Sequence, residues 1–480
     1  MSEIKLTSLE QYDDSPHTVI VGGGLAGLSA AWHLSKIRPW WKIAVIEQEK
    51  EIGGLARTWD IAGVRVDYGP HRWYTELEEI KKLENVLLPQ DALIRSTRKS
   101  SMVLHGSVID YPPNPLNVFK QLGISKCLRL GISALMTKMI PALGEPSNFA
   151  DAMRAVYGNA ACTMITDKYA WKVWKTDPKA LSAEVARNRV SKGKGIGRPE
   201  SLSEITYCRG GIDAISNHIA GLCKKSGVKI LTDMSLKAVM TRENTDTITD
   251  IAVQDGLTGE SYVTPVDNVI STIPITSLSQ YLIQMKSNEK AEIAAAELQY
   301  LNMILIVVEI NKPRLSENTW MYFPDDDVMF NRMFEPVNFD NSMAKDDTKG
   351  CIVFDITSRK HEEPWLLSND EIMEKMYHQI TETGIISADE ILTMYLLRIP
   401  NAYPLYTIGF EKYRKTLLLQ CTEVNNLITT GRQGLFSHNN MDHSILTGIK
   451  AAECLADGAK VGENWYTNYL PQFEQFRIVD

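Results

Sequence analysis

Cysteine is scarce and irregularly placed in this sequence. The 480 residues contain seven cysteines, at positions 127, 162, 208, 223, 351, 421 and 454, and no two of them form a Cys-x-x-Cys pair. An odd number without paired spacing indicates neither a disulfide framework nor a zinc site. We therefore predict reduced thiols, a cytoplasmic location and no metal ion in the site.

The sequence also lacks long apolar runs and an excess of positive charge. No segment approaches the roughly 20 consecutive apolar residues that a membrane-spanning helix requires. The segment 126–143 mixes basic residues with leucine, isoleucine and methionine, which is typical either of a helix on a membrane surface or of one helix in a substrate domain. The net charge of −8 argues against nucleic acid as the main partner. We therefore predict a small-molecule substrate, and the sequence leaves a homo-oligomer open.

Glycine, by contrast, is concentrated directly after an apolar β-branched run. The turn reads Gly22-Gly23-Gly24-Leu25-Ala26-Gly27, a helix pattern follows it, and a second apolar strand pattern ends at Glu47. In such a turn Gly22 makes the bend, Gly24 allows the backbone to approach a pyrophosphate, and Gly27 allows the helix to pack on the strand. The N–H groups that open the helix face the phosphates, and Glu47 is placed to bind a ribose hydroxyl. The stretch predicts a dinucleotide-binding βαβ unit.

A second glycine pair follows in Gly53-Gly54-Leu55-Ala56. Taken alone the pair is typical of an ordinary turn, but after the first motif it gives the backbone a second approach to the pyrophosphate. The two motifs together resemble the FAD-binding pattern of the flavoprotein superfamily that contains amine oxidases, protoporphyrinogen oxidases and UDP-galactopyranose mutases. The resemblance implies FAD as the cofactor. It also places Gly69-Pro70-His71 beside the flavin ring and the backbone near Val239 at the adenine.

The order of the patterns predicts an α/β fold with α+β inserts. We expect a Rossmann-like FAD-binding domain of the glutathione-reductase type, a helical insert and a second antiparallel sheet. Helical periodicity dominates residues 117–192, and strand alternation dominates residues 301–400. The predicted boundaries are 1–100, 205–290 and 415–480 for the FAD-binding domain, 101–204 for the helical substrate domain, and 291–414 for the second-sheet substrate domain.

Further stretches resemble UDP-galactopyranose mutases most closely, and among these the longer eukaryotic type. They occur in the same order as in that family. They are Gly53-Gly54-Leu55-Ala56, Gly69-Pro70-His71, the segment 169–174, the segment 320–324 followed by Phe330-Asn331-Arg332, Gly431-Arg432, and Asp442-His443-Ser444.

The resemblance assigns a diphosphate-binding role to two arginines. Arg189 and Arg332 fall where the mutases hold the substrate diphosphate, and Tyr403 matches a tyrosine near it. Guanidinium suits this role because it is permanently charged and forks onto phosphate oxygens. The alternative for each arginine is a solvated surface side chain.

Other matching residues are assigned to the flavin. Arg432 matches an arginine near the flavin, and Asp442-His443-Ser444 opens a helix whose N-terminus faces the flavin pyrimidine, where its dipole would stabilise an anionic reduced flavin. His71 could act in catalysis, hold the flavin through its backbone, or be a buried histidine with satisfied hydrogen bonds, and we favour the second. His438 stands where the mutases usually have a tyrosine, and it is a further candidate for the reacting side of the site.

The departures from the family concern the substrate. Ala170 replaces the asparagine of the family's Tyr-Asn-Phe-Lys-Val-Trp motif, which weakens the case for a uracil-containing substrate. Two enzymatic hypotheses remain. One is a redox-neutral flavoenzyme that interconverts ring forms of a nucleotide-diphosphate sugar through flavin N5, and the other is an oxidoreductase that passes hydride from a C–H bond to the flavin. The paired arginines favour the first, and a flavin-binding regulatory protein is the non-enzymatic alternative.

Overall fold

The computed structural model describes residues 17–111, 115–139, 145–187, 204–242, 245–344, 346–458, 460–474, 476 and 478. The strands in this part of the chain are β1 His17–Val21, β2 Lys42–Ile46, β3 Thr58–Ile61, β4 Val64–Asp67, β5 Leu93–Thr97, β6 Ser100–Leu104, β7 Ser107–Tyr111, β8 Glu204–Cys208, β9 Lys229–Leu231, β10 Met234–Thr241, β11 Ile248–Asp255, β12 Ser261–Pro265, β13 Asn268–Ser271, β14 Tyr300–Ile310, β15 Trp320–Tyr322, β16 Arg332–Phe334, β17 Gly350–Ser358, β18 Ile391–Pro404 and β19 Leu427–Thr429. The α-helices are α1 Leu25–Ile37, α2 Glu78–Leu87, α3 Pro115–Met139, α4 Phe149–Tyr157, α5 Asn159–Ala161, α6 Asp167–Trp174, α7 Glu184–Arg187, α8 Asp213–Lys225, α9 Ile275–Met285, α10 Glu289–Glu297, α11 Asn369–Glu382, α12 Phe410–Thr422, α13 Gly431–Gly434, α14 Met441–Asp457 and α15 Val461–Asn464.

The parallel sheet collects strands that are far apart in sequence. Its order is β19-β13-β1-β2-β9, and each neighbouring pair is parallel. Parallel sheets are covered on both faces, and the short apolar strands fit this because Ile20 and Val45 are fully buried. Helix α1 leaves the end of β1 and packs beside α8 and α14. This arrangement confirms the predicted Rossmann-like unit.

A seven-stranded sheet forms the second layer of strands, in the order β18-β14-β17-β16-β15-β6-β7. Its neighbours are antiparallel except for β15 and β6, which run parallel. Every residue of β14 and β17 is buried, so the strand alternation read from the sequence marks a sheet covered on both faces. The expected second antiparallel sheet is therefore confirmed. The hairpin β6–β7 pairs with this sheet through β15, and the domain boundaries stay predictions.

Smaller sheets and helices complete the chain. The antiparallel sheet β10-β11-β12 starts beside β2, because the Met234 N–H donates to the Glu47 carbonyl over 2.8 Å. Between β7 and β8 the described residues are helical, as the sequence predicts. Helix α3 in this region contains a sharp break at Gly123, whose φ is 78°. In the described part of the chain no helix is long and apolar enough to cross a membrane, and none of the seven cysteines forms a disulfide.

Candidate functional site

Two glycines of the first turn are required by the protein's own packing. Gly22 has a φ of +107°, and a Cβ there would lie 2.1 Å from the Thr272 Oγ1 atom. A Cβ at Gly27 would lie 2.0 Å from the Gly22 carbonyl oxygen, so a side chain would push α1 away from β1. Both positions agree with the roles predicted from the spacing.

Gly24 is different, because nothing in the chain requires it to be glycine. Its φ of −77° suits any residue, and a Cβ would come no closer than 3.8 Å to another atom, the Cα of Gly54. The second glycine turn lies directly against it, since the Gly53 N–H donates to the Gly23 carbonyl over 2.8 Å. The open space beside Gly24, between two glycine turns and at the start of a helix, fits the pyrophosphate of a dinucleotide.

Glu47 and strand β10 lie next to this open space, at the edge of the parallel sheet. The Glu47 carboxylate accepts hydrogen bonds from the N–H groups of Gly23 (2.7 Å) and Glu49 (2.9 Å). Burial raises the pKa of Glu47, and the backbone hydrogen bonds act against this shift. The carboxylate is thus fixed beside the glycine turn, where a ribose would lie. Val239 is buried on β10, the strand whose first residue, Met234, donates its N–H to the Glu47 carbonyl.

The N-termini of two helices meet beside the glycine turns. A Cβ at Gly431 would lie 2.7 Å from the Ala26 Cβ, and a Cβ at Gly448 would lie 2.1 Å from the Ala26 carbonyl oxygen. The Ser29 hydroxyl donates to the Ile445 carbonyl over 3.1 Å. Helix α14 therefore packs closely on the first turns of α1. Of the residues predicted near the phosphates, Leu25, Ala26 and Ala56 are buried and Gly54 and Leu55 are partly exposed.

The Asp442-His443-Ser444 segment forms the first turn of α14. The His443 Nδ1 atom accepts a hydrogen bond from the Asn440 N–H over 3.1 Å, so His443 caps the helix. Its ring stacks on Phe476 at 4.3 Å, and burial lowers its pKa. The Ser444 hydroxyl donates to the Asn439 side chain, and Asp442 is buried. These contacts order a helix N-terminus and leave its dipole available to a negative group.

His71 follows the end of strand β4 by four residues. Gly69, with a φ of +107°, makes the bend before Pro70 and His71. Burial and then the Arg332 guanidinium lower the pKa of His71 to about 4, with a further contribution from Arg432 and an opposite one from the Gly69 backbone. Its Nδ1 atom is buried and has no hydrogen-bond partner among the described residues. His71 is therefore a neutral imidazole beside two cationic groups.

Arg332 is held by a carboxylate that the sequence analysis did not identify. It pairs across the sheet with Tyr322 and Asp355. Its Nε and Nη2 atoms lie 2.7 and 2.6 Å from the Asp355 Oδ2 atom. Burial raises the pKa of Asp355, and the guanidinium acts against this shift. A lone acid inside the apolar run of β17 was the available sequence signal, because an acid in a buried strand needs a partner.

A cluster of aromatic rings surrounds these charges. Tyr322 is met edge-on by Tyr111 at 5.3 Å and by Tyr169 at 5.8 Å, and its hydroxyl accepts a hydrogen bond from Trp320. Tyr403, Tyr322 and Tyr169 also lie within the electrostatic reach of Arg332. We name Tyr111, Tyr169, Tyr322 and Tyr403 the tyrosine cluster. The sequence analysis identified Tyr403 as a site residue, and the fold brings the others to it.

Arg432 and His438 close the other side of the tyrosine cluster. The Arg432 guanidinium lies 5.2 Å from the Tyr403 ring centre and donates to the carbonyls of Asn439 (2.9 Å) and Ala402 (3.1 Å). His438 is buried, and its ring packs against Trp174 at 5.1 Å. The structure thus brings together Arg332, Arg432, His71, Tyr403 and His438. Arg189 lies outside the described residues.

Lys172 lies near these residues and binds the backbone of a neighbouring loop. Its Nζ atom donates to the carbonyls of Phe323 (2.8 Å), Phe330 (3.3 Å) and Asp325. Burial lowers its pKa to about 8. The lysine therefore fixes the loop that leads into β16, and so it orients Arg332 indirectly.

Comparisons with known proteins agree with this geometry. Residues 25–456 match the sequence profile of a family described as flavin containing amine oxidoreductase. No curated protein sequence is significantly similar to the chain.

Solved structures share the fold over almost the whole chain. A crystal structure of reduced UDP-galactopyranose mutase superposes with a TM-score of 0.76 and 19% identity, covering 93% of this chain and 96% of that one. A provisionally named protoporphyrinogen oxidase from Exiguobacterium gives 0.71 and 14%, covering 92% and 98%. Cyclohexylamine oxidase from Brevibacterium oxydans gives 0.63 and 14%, covering 92% and 99%. At these identities the likeness concerns the fold.

Proposed function

Because the chain belongs to the flavin containing amine oxidoreductase family and is a FAD-dependent enzyme, we propose that its substrate is anionic and carries a diphosphate, as in a sugar nucleotide. The observation that carries this proposal is the presence of two guanidinium groups, those of Arg332 and Arg432, beside the tyrosine cluster. Arg332 and Arg432 both lower the pKa of His71, so two guanidinium groups act on the same space. Asp355 offsets the charge of Arg332, but the planar guanidinium groups donate hydrogen bonds in the geometry that suits phosphate oxygens, and Arg432 adds a positive charge that favours a diphosphate over a cationic amine.

Each group has a role under this proposal. When bound, FAD supplies an N5 atom that can act as a nucleophile or accept hydride. Arg332 binds the diphosphate and stabilises the charge that develops when it leaves, with Asp355 fixing the orientation of the guanidinium. The neutral His71 adds no charge of its own beside these guanidinium groups. Arg189, as the second arginine of the mutase pattern, remains part of the proposal.

The structure also supports roles in holding the cofactor. The space at Gly24 holds the pyrophosphate, and the Glu47 carboxylate accepts a hydrogen bond from a ribose hydroxyl. The N-terminus of α14 places its dipole toward a negative charge on the flavin, and Gly448 allows this helix to pack closely on α1. These assignments follow from shape and from hydrogen-bonding capacity.

Net hydride removal from a C–H bond is the second candidate, favoured by the family match itself. The two reactions can be distinguished by the redox state of the flavin that turnover requires. A mutase requires reduced flavin and returns it reduced, so dithionite-treated protein should convert a sugar nucleotide without consuming oxygen. Peroxide formation by the aerobic enzyme with an amine or a porphyrinogen would favour the oxidoreductase instead.

Arg332 can be tested without confusing binding with folding. The Arg332→Gln variant leaves the buried Asp355 carboxylate unpaired, which destabilises a protein by about 3–5 kcal/mol. The double variant Arg332→Gln/Asp355→Asn removes both charges and should recover most of that stability. We expect the double variant to hold FAD and to bind UDP-hexoses or prenyl diphosphates about 10- to 100-fold more weakly, measured by calorimetry on reduced protein. Unchanged affinity would show that Arg332 serves only to neutralise Asp355.

A further inference from the structure

Helix α3 presents apolar side chains to the solvent along its length. Eight large apolar residues of this helix each expose between 48% and 75% of their surface. They are Leu116, Phe119, Ile124, Leu128, Ile132, Leu135, Met136 and Met139. We name this set the α3 apolar stripe. Contiguous exposed apolar surface of this kind marks an interaction site, whereas single exposed residues do not.

Two polar residues of the same helix lie on its inward side. The Ser133 hydroxyl accepts a hydrogen bond from the Ala160 N–H over 3.0 Å, and the Thr137 hydroxyl donates to the Ser133 carbonyl. Ser133 and Thr137 are partly buried against α5, while the apolar residues point outward. From Ile124 onward the outward residues recur at spacings of three and four, which puts them on one face of the helix. These apolar residues therefore face solvent instead of packing on the rest of the protein.

The charge of the segment is also unlike that of the rest of the chain. The chain has 59 acidic residues and a net charge of −8, yet positions 111–144 contain no aspartate or glutamate. Three of the basic residues in α3, Lys120, Lys126 and Arg129, are exposed. A helix with an exposed apolar face and basic flanks suits the interface of a bilayer that contains anionic lipids.

We propose that α3 docks this enzyme on the surface of an anionic lipid bilayer, with the α3 apolar stripe inserted among the acyl chains. A second copy of the chain is the competing occupant. In a two-fold interface the same surface patch meets itself, so the basic residues of one copy would face those of the other without acids to offset them. Lipid phosphates offset this charge. No helix in the described residues spans a membrane, so the contact lies at the interface.

The docking helix is continuous with the candidate site. Strand β7 ends at Tyr111, a member of the tyrosine cluster, and α3 begins four residues later and packs against β7. A docked enzyme therefore holds the tyrosine cluster close to the lipid surface. The docking itself does not depend on the proposed substrate.

The test uses the full-length, FAD-loaded protein and sedimentation with vesicles. The vesicles are pure phosphatidylcholine or phosphatidylcholine with phosphatidylglycerol. We expect sedimentation with the anionic vesicles, weakening as salt is added. The variant Leu128→Gln/Ile132→Gln/Leu135→Gln should bind at least about tenfold more weakly, and Lys120→Gln/Lys126→Gln/Arg129→Gln should lose the preference for anionic lipid. The matched control Leu257→Gln/Leu366→Gln/Ile408→Gln removes three exposed apolar side chains elsewhere and should bind as the unaltered protein does.

Two results would overturn the proposal. One is equal binding by the α3 triple variant and the control. The other is the absence of binding to the anionic vesicles; a concentration-dependent dimer in light scattering that the α3 triple variant abolishes would then identify a second copy as the occupant. Flavin content and thermal unfolding of every variant show whether it is folded. Neither result bears on the diphosphate proposal, because no residue of the tyrosine cluster is changed.

Discussion

The glycines of the first turn differ in what their missing side chains make room for. Gly22 and Gly27 leave room for other atoms of the chain, and Gly24 leaves room that the chain itself does not fill. A substitution at Gly24 should therefore act on the ligand and not on the fold. The two histidines also differ in what surrounds them. Burial and a nearby guanidinium lower the pKa of His71, whereas His443 caps the first turn of α14.

Replacing Gly24 by valine should give a folded, colourless protein. The side chain has space in the protein alone but would occupy the place of the pyrophosphate. We expect visible flavin absorbance to fall to background while the midpoint of thermal unfolding stays within about 5 °C of that of the FAD-stripped parent. Gly27→Val is the control and should unfold, because its Cβ meets the Gly22 carbonyl. A yellow Gly24→Val protein would contradict the assignment.

His71 should make the protein sensitive to acid. Its pKa is about 4 when folded and about 6.5 when unfolded, so the unfolded state takes up the proton first as pH falls. Stability from the neutral imidazole is complete above pH 6.5 and is lost as pH falls toward 4. At roughly 1.4 kcal/mol per pKa unit, the loss between pH 6.5 and 5 is about 2 kcal/mol.

This prediction is measured by urea unfolding of the FAD-loaded protein at both pH values. His71→Gln should show a smaller difference between the two pH values than the parent protein. His361→Gln, at an exposed histidine, should show the parent difference. Identical pH dependence in all three proteins would mean that protonation of His71 does not cause the loss of stability at low pH.

At the scale of elements, α6 and the loop 323–330 act together. The helix contributes Lys172 on its buried side and Lys168 on its exposed side. The buried lysine satisfies three carbonyls of a loop that has no regular structure of its own, and the loop in turn leads directly into β16 and Arg332. Order in the site therefore depends on a side chain that does not itself contact the ion pair.

Lys172→Met should destabilise the protein by about 1–3 kcal/mol, because the carbonyls that it leaves unbonded are buried. The measurement is urea unfolding at neutral pH. Lys168→Met is the matched control on the same helix; it removes an exposed 3.4 Å ion pair with Asp326 and should cost no more than about 1 kcal/mol. Equal effects of the two substitutions would show that Lys172 contributes only as a surface charge.

For the whole molecule, folding brings together three distant parts of the chain in one parallel sheet. Strands β1 and β2 come from the start of the chain, β9 and β13 from its middle, and β19 from near its end. The cysteines lie on other elements of the fold, and most of them are buried in it. Six of the seven cysteines are buried, and Cys127 on α3 is partly exposed.

Thiol titration should report this burial. The folded protein should react rapidly at one thiol, Cys127, and at all seven after denaturation without reductant. Burial raises the pKa of Cys208 and of Cys223 to about 12, which suppresses the reactive thiolate in the folded state. The Cys127→Ser variant should have no fast-reacting thiol. Fewer than seven thiols after denaturation of the parent would reveal a disulfide.

Much of the architecture could be predicted from sequence because its signals are local. The strand, the glycine turn and the helix of the first βαβ unit occupy adjacent residues, and their periodicities are set by backbone geometry. The roles of Gly22 and Gly27 follow from spacing alone, the strand alternation over residues 301–400 indicates the second sheet, and the resemblance added FAD. The near-continuous apolar run of β14 likewise indicates a buried strand, and every residue of β14 is buried.

The sequence by itself thus determined the type of fold, the cofactor and most candidate residues of the site. Tertiary structure alone decided that Asp355 pairs with Arg332 and that Arg332 and Arg432 act together on His71. It also decided that the apolar side of α3 faces outward. The reason is physical: local backbone preferences depend on neighbours in sequence, whereas charge pairing, pKa values and burial depend on distances between residues that only the folded chain brings together.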